Sequence, residues 1–204
     1  MTEPSQGPQI VNGRVPGAPV DAVFLDRWSP RAFSPEPLPE ATILSLFEAA
    51  RWAPSSGNLQ PWTYVYATTA EERALFLPLL DEFNRIWVQH APMIAFVMTL
   101  LHSPKSGKPN RHAQFDAGSS WLSIALQARR LGLYAHAMGG FDVDQAHAVL
   151  NAPRDKYGIM AAIAIGRYGS ATDLDDYNRK RETPSSRKQV SEFAFRGPLP
   201  DAVP

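Results

Sequence analysis

The chain has 204 residues, 44% of them hydrophobic and 10% aromatic, enough to bury the core of one domain. Lys plus Arg and Asp plus Glu number 20 each, so the formal net charge is zero, which argues against a general nucleic-acid binder or a polybasic membrane protein. Cysteine is absent, which excludes disulfides, thiolate metal sites, cysteine nucleophiles and Cys-ligated iron–sulfur clusters, and suits a cytoplasmic chain.

Residues 1–18 hold several Pro and Gly with almost no periodicity and are expected to form a flexible arm that can drape over a partner subunit. They lack the basic start and apolar run of a signal peptide. A short helix is predicted over residues 19–26, with Pro19 in its first turn and Val20, Val23 and Phe24 on one face. The four prolines of RWSPRAFSPEPLP forbid a helix and leave Arg27, Ser29, Arg31 and Phe33 on extended backbone. Ile43, Leu46, Phe47 and Ala50 then repeat with helical spacing and predict a helix from about Pro39 to Arg51, stopped at Ala53 by Pro54. The following run, RWAPSSGNLQPW from Arg51 to Trp62, is rich in hydrogen-bonding groups. It is either an ordinary turn made of turn residues or a polar binding loop held between rigid elements.

Trp62 to Ala67 is β-branched and aromatic and predicts a strand. A helix capped by Thr69 is expected to run to about Leu80, with a shorter helical piece over Asn84 to Gln89. Ala91 to Leu101 is the longest apolar run. It falls short of the ~20 residues that span a bilayer and is expected to be a buried strand. The polar segment His102 to Asn110 is expected to be a loop, and Leu101 to Arg111 a candidate lid. The longest helix is predicted from about His112 to Leu131. Its middle, AGSSWLSIALQA, is apolar almost all round and implies burial, and Ala117, Gly118, Ser119 and Ser120 permit close approach of another helix. Gly132 ends it. A strand from Leu133 to Met138, a Gly139-Gly140 turn, a helix capped by Asp142 and running to about Leu150, and a buried strand within Tyr157 to Tyr168 follow. The chain from Gly169 is polar until Val190, Phe193 and Phe195, which suggests a C-terminal extension packed on a distant surface or a second subunit. Strands and helices mix without a βαβ rhythm, so the fold class is α+β, with one domain over residues 19–196 between the arm and a tail at 197–204.

Several chemistries are missing from the residues. No GxGxxG follows a strand, and neither GxxxxGK[ST] nor GxSxG occurs. His112 and Asp116 stand four apart on a helix but have no third metal ligand at convincing spacing. His136, beside the Gly-Gly turn, suits packing better than base catalysis. Arg27 and Arg31 either present two fixed cations to an anion such as phosphate or are two surface arginines. Gly139-Gly140 either brings bare N–H groups against a ligand or is a plain turn.

The ordered set RWSPRAF, PSSGNLQPW, DAGSSW to RRLGL, MGGFD, AIAIGRYG and PSSRKQVSEF resembles the nitroreductase family of FMN-dependent oxidoreductases. The resemblance covers roughly residues 20–195. It implies a nitroreductase-like fold, a central mixed or antiparallel sheet flanked by helices, in an intertwined homodimer whose C-terminal extension crosses to the partner. It implies FMN as cofactor at the subunit interface and NADH or NADPH as electron donor. Arg27, Ser29 and Arg187 would bind the FMN phosphate, alongside Trp28. Arg31 would sit near the pyrimidine edge, where a cation stabilises the reduced flavin, and Asn84 would reach the same edge. Pro54, Ser55, Ser56 and Asn58 would reach the flavin of the other subunit. Gly139 and Gly140, after Met138, would place a backbone N–H near flavin N5. Two departures stand out: Ser185 where the family often has a phosphate-binding lysine, and Gly139 where glutamate is frequent. The reaction implied is ping-pong reduction of a nitroaromatic, quinone or other electron-poor small molecule, with no side-chain base. Alternatives on the same fold are reductive dehalogenation, enone or aldehyde reduction, or dehydrogenation of a peptide-derived ring. A non-catalytic flavin-binding dimer is a further alternative. No nucleic acid, membrane or metal is implied.

Overall fold

A computed structural model describes residues 12–200; most of the expected arm, at 1–11, and the end of the expected tail, at 201–204, lie outside the described residues. Four strands form one sheet: β1 (Trp62–Ala67), β2 (Met93–Leu100), β3 (Tyr134–Met138) and β4 (Tyr157–Gly166), in the order β1-β2-β4-β3. Every pairing is antiparallel, which narrows the expected mixed or antiparallel sheet. Among the described residues seven α-helices flank it: α1 (Ala22–Asp26), α2 (Glu40–Arg51), α3 (Ala70–Phe76), α4 (Glu82–Val88), α5 (Ala113–Arg130), α6 (Val143–Val149) and α7 (Asp176–Lys180). The fold is α+β, as expected. No described helix is long and apolar enough to cross a membrane.

The period-two alternation of β2 divides the core. Ile94, Phe96 and Met98 face a cluster with Trp28, Phe33, Phe76, Trp87 and Met138. Met93, Ala95 and Val97 face a second cluster with Ile43, Leu46, Ile124, Ala125 and Ala128 of α2 and α5. A strand covered on both faces is apolar throughout, which is why Ala91 to Leu101 looked like one run in the sequence.

Two boundaries and one burial pattern differ from expectation for local reasons. α1 starts at Ala22, because the Asp21 carboxylate accepts Val23 N–H at 2.9 Å and caps it there; Pro19 lies outside the helix. α3 stops at Phe76, and Pro78 turns the next residues, Leu77–Leu79, into a 3-10 turn. Its start is as expected: Thr69 Oγ1 accepts Glu72 N–H and the Glu72 carboxylate accepts Thr69 N–H, a reciprocal cap. The third difference is α5, which is not buried all round. Ala113, Asp116, Ala117, Ser120, Ile124, Ala125 and Ala128 face the core, while Phe115 is 77% exposed and Leu122 45% exposed, with Gly118 open between them.

Candidate functional site

Arg27 follows directly on α1, and two ion pairs dock that helix on the last turn of α5. Asp26 Oδ2 accepts from Arg129 Nε at 2.9 Å, largely shielded from solvent, and the exposed Asp21 pairs with Arg130. Arg129 also lies over the Tyr134 ring, 4.6 Å from its centroid. Trp28 is buried between Tyr134 and Tyr168, with ring centroids 6.0 and 5.9 Å away.

The next residues are held by their backbone. His136 Nδ1 meets Pro30 O at 2.7 Å, and because a carbonyl only accepts, that nitrogen carries the proton. The Glu182 carboxylate accepts the N–H groups of Arg31 and Ala32, each at 2.9 Å. Phe33 bridges to Tyr168, and Gly169 N–H donates to Ala32 O at 2.8 Å. A Cβ at Gly169 would collide with the Phe33 carbonyl, so this approach requires glycine. Arg31 is thus presented from a fixed segment, half-buried, its Nη1 directed at Arg181 O at 3.4 Å. Burial lowers the His136 pKa to about 4, assisted by the charges of Arg31 and Arg27, against the hydrogen bond to Pro30. Burial raises the Glu182 pKa against the pull of its two N–H donors and Arg31.

Arg27 stands among cations. Burial depresses its pKa, followed by Arg187 and Arg14. Among the described residues neither Arg27 nor Arg187 has a carboxylate within ion-pair distance. Arg187 instead donates to Ser185 O, Ser185 Oγ and Ser186 O. Arg14, which sequence reasoning left inside an unpatterned arm, donates from Nη1 to Leu25 O and Arg27 O at 3.0 and 2.8 Å, and from Nε to Ser185 O at 3.2 Å. Arg14 and Arg187 line one cavity of about 1000 Å³, with Val20, Phe24, Val190 and Phe193 as apolar walls. Ser29 is half-buried on the same segment as Arg27 and Arg31.

Asn84 and the glycine turn meet. Asn84 Nδ2 donates to Gly140 O at 3.1 Å, and Asp81 N–H donates to the same oxygen at 3.1 Å. A Cβ at Gly140 would strike the Asp81 carboxylate and Asn84 Nδ2, whereas one at Gly139 would meet nothing within 4 Å. Only Gly140 is therefore glycine for steric reasons, and Gly139 faces open space. The Met138 side chain is buried in the core.

The Pro54 to Asn58 loop lies elsewhere. It forms a 3-10 turn at Ser56–Asn58 with Gly57, Asn58 and Gln60 at positive φ, and Ser55 Oγ accepts Gln60 N–H at 3.0 Å. The Asp116 carboxylate, 2% exposed near the start of α5, accepts Ser56 N–H at 3.1 Å, and Lys105 Nζ donates to Gly57 O at 3.3 Å. Asp116 thus holds a loop, and no metal-binding cluster with His112 exists among the described residues. Asp116 and Arg129 stand near opposite ends of α5, about 20 Å apart at ~1.5 Å per residue. One chain therefore carries two separated groups of candidate residues: Arg27, Ser29, Arg31 and Arg187 at one end of α5, Pro54, Ser55, Ser56 and Asn58 at the other. Sequence reasoning missed Glu182 and Arg14 altogether, and weighed Asp116 only as a metal ligand rather than as a holder of the loop. Only Asp116 carried a signal, as a charged residue inside an apolar helix.

The model of the Nitroreductase family matches residues 25–89. A Streptomyces coelicolor protein bearing the name NADH dehydrogenase/NAD(P)H nitroreductase is 32% identical over 154 residues, 65% of this chain and 76% of that protein. A solved structure described as an oxidoreductase containing FMN is 40% identical, with a TM-score of 0.89 over 94% of this chain and 98% of its own. A nitroreductase family protein from Clostridium difficile shares the fold at 19% identity, with a TM-score of 0.67 over 87% of this chain and 97% of its own. Identity of this depth over most of both chains makes this chain a member of the nitroreductase family.

Proposed function

We propose that this chain is an NAD(P)H-dependent FMN oxidoreductase that works as a homodimer on electron-poor small molecules such as nitroaromatics and quinones. The observation that carries this reading is that Arg14 joins the Arg27 carbonyl to Ser185, which also holds Arg187, while among the described residues neither Arg27 nor Arg187 has a carboxylate within ion-pair distance. Half-buried Arg27 and exposed Arg187 repel one another without a counter-ion, and a phosphate dianion relieves that repulsion through charge-assisted hydrogen bonds. The donor set therefore fits the phosphate end of FMN. The FMN-containing relative at 40% identity and the NAD(P)H in the name of the Streptomyces relative support the same assignment.

In this reading Arg27, Ser29 and Arg187 hold the phosphate, and Arg31 supplies positive charge at the pyrimidine edge. Asn84 fixes the Gly140 carbonyl and with it the course of the turn, and the Gly139 carbonyl accepts from Phe141 N–H at 3.2 Å, so it is the Gly139 N–H that would be presented to a ligand. When bound, FMN supplies two-electron exchange with a nicotinamide donor and then an acceptor, in ping-pong order. The apolar stripe of Phe115, Gly118 and Leu122 on α5 supports a two-fold interface. Antiparallel packing of two such helices brings the Pro54 to Asn58 loop of one chain toward the arginine end of the other, so each site would be shared.

The purified protein is expected to be yellow and to lose its visible flavin absorbance under anaerobic NADH or NADPH, recovering it when a quinone or nitroaromatic is added. A colourless protein that takes up no added FMN would overturn the assignment. A flavin that neither nicotinamide bleaches would remove the oxidoreductase role.

A further inference from the structure

Arg14 is built into the candidate phosphate site by geometry that a mere arm would not need. Its Nη1 is committed to the carbonyls of Leu25 and Arg27 and its Nε to the carbonyl of Ser185. These three acceptors come from the end of α1 and from the C-terminal segment, so one side chain joins the N-terminal arm to both walls. None of the acceptors is a carboxylate, and among the described residues Arg14 makes no ion pair. A guanidinium has five N–H donors on three nitrogens, and the two on Nη2 have no partner among these bonds. Arg187 lies on the same cavity wall and is held by the same residue, Ser185, through its hydroxyl at 2.8 Å. The side chain is thus fixed, charged, and left with a free edge beside a second cation.

We infer that Arg14 is a phosphate-binding residue: it acts as the third cation beside Arg27 and Arg187, and the arm from Asn12 is part of the cofactor site. The inference rests on the FMN assignment above. The carbonyl bonds orient the fork without quenching its charge, so Nη2 is presented to a phosphate oxygen. Burial and the charge of Arg187 both disfavour the cation while the site holds no anion, and a bound dianion reverses that balance.

The test is flavin titration by fluorescence quenching, with FMN and riboflavin measured side by side on wild type, Arg14→Gln and Arg14→Lys. Glutamine keeps a donor for the Leu25 and Arg27 carbonyls and removes the charge; lysine keeps the charge and loses the fork. Arg14→Gln is expected to bind FMN at least about tenfold more weakly, with riboflavin affinity unchanged, and Arg14→Lys to recover most of the loss. FMN affinity equal to wild type in Arg14→Gln would overturn the inference and leave the FMN assignment standing. Equal losses for FMN and riboflavin would make Arg14 a clamp on the arm rather than a phosphate ligand, and also overturn it. A wild-type chain that binds neither flavin would remove the FMN assignment and this inference with it.

Discussion

The arginines around the end of α1 are positioned by carbonyls. Arg14 rests on Leu25, Arg27 and Ser185, Arg187 on Ser185 and Ser186, and Arg31 on Arg181. A carbonyl fixes a guanidinium without neutralising it, so the charge stays available to a ligand. Arg129 is the contrast: its charge goes to Asp26 and holds α1 in place. Arg27 and Arg31 were legible as candidates because they sit on a proline-rich extended segment, whereas Arg187 came from the family resemblance alone. Arg14 was not legible, since its partners lie up to 171 residues away and leave no local pattern. The sequence marked a missing cation at Ser185 but not the residue standing beside it. His136 carries a prediction of its own. Its folded pKa, about 4, lies below the ordinary value of 6.5, so the unfolded chain binds the extra proton first as pH falls. The neutral, packed ring therefore contributes stability above pH 6.5, and this is lost progressively as pH falls from 6.5 through 4. The full effect is on the order of 3 kcal/mol. His136→Asn, which keeps a donor for Pro30 O, should flatten the melting temperature between pH 7 and pH 4 by roughly 5–10 °C relative to wild type. Parallel pH profiles in the two proteins, followed by circular dichroism, would refute this.

Among the elements, α5 organises the rest. Its inner face packs on α2 and the sheet, its first turns hold the Ser56 loop through Asp116, and its last turn holds α1 through Arg129 and Arg130. The sequence showed an apolar helix with small residues, and that composition was real. What it could not show is that only one face is buried within the chain, because periodicity blurs when the second face is also apolar. The α1 and α3 limits were misread because local capping by Asp21 and the break at Pro78 outweighed the periodic pattern. The exposed stripe gives a direct test. Leu122→Arg places a charge in the proposed interface and should weaken dimerisation by at least about a hundredfold. Analytical ultracentrifugation should then find monomer at concentrations where wild type is dimeric, with unchanged far-UV circular dichroism. A dimer that tolerates Leu122→Arg would move the interface elsewhere.

For the molecule as a whole, separation of the two residue groups along α5 makes a prediction about sharing. Arg27→Ala is expected to weaken the proposed phosphate end, and Asp116→Ala to release the Ser56 loop. If each site draws on both chains, co-refolding the two inactive variants in equal amounts should yield mixed dimers with one intact site. About a quarter of wild-type FMN-binding capacity should return. If each chain completes its own site, mixing restores nothing, and flavin retained after gel filtration distinguishes the two. The fold class and the order of strands and helices were legible because each element is locally consistent. The division of the site residues into two groups came only from the family resemblance; the distance between the groups was not legible, since it depends on the length of a helix lying between them.

The bonds from Glu182 to the Arg31 and Ala32 N–H groups, with those of Gly169 and Tyr168 nearby, also bear on the order in which the molecule is made. The segment carrying Arg27 and Arg31 leaves the ribosome early, yet its anchors come about 150 residues later. Contacts this far apart in sequence form late. The sheet, complete once β4 has emerged, can assemble while synthesis continues and already offers His136, Tyr168 and Gly169 to this segment, but the Arg31 and Ala32 N–H groups lack their carboxylate until Glu182 is clear of the exit tunnel. A nascent chain stalled before Glu182 would then be folded at its centre with the Arg31 end of the proposed cofactor site only partly anchored.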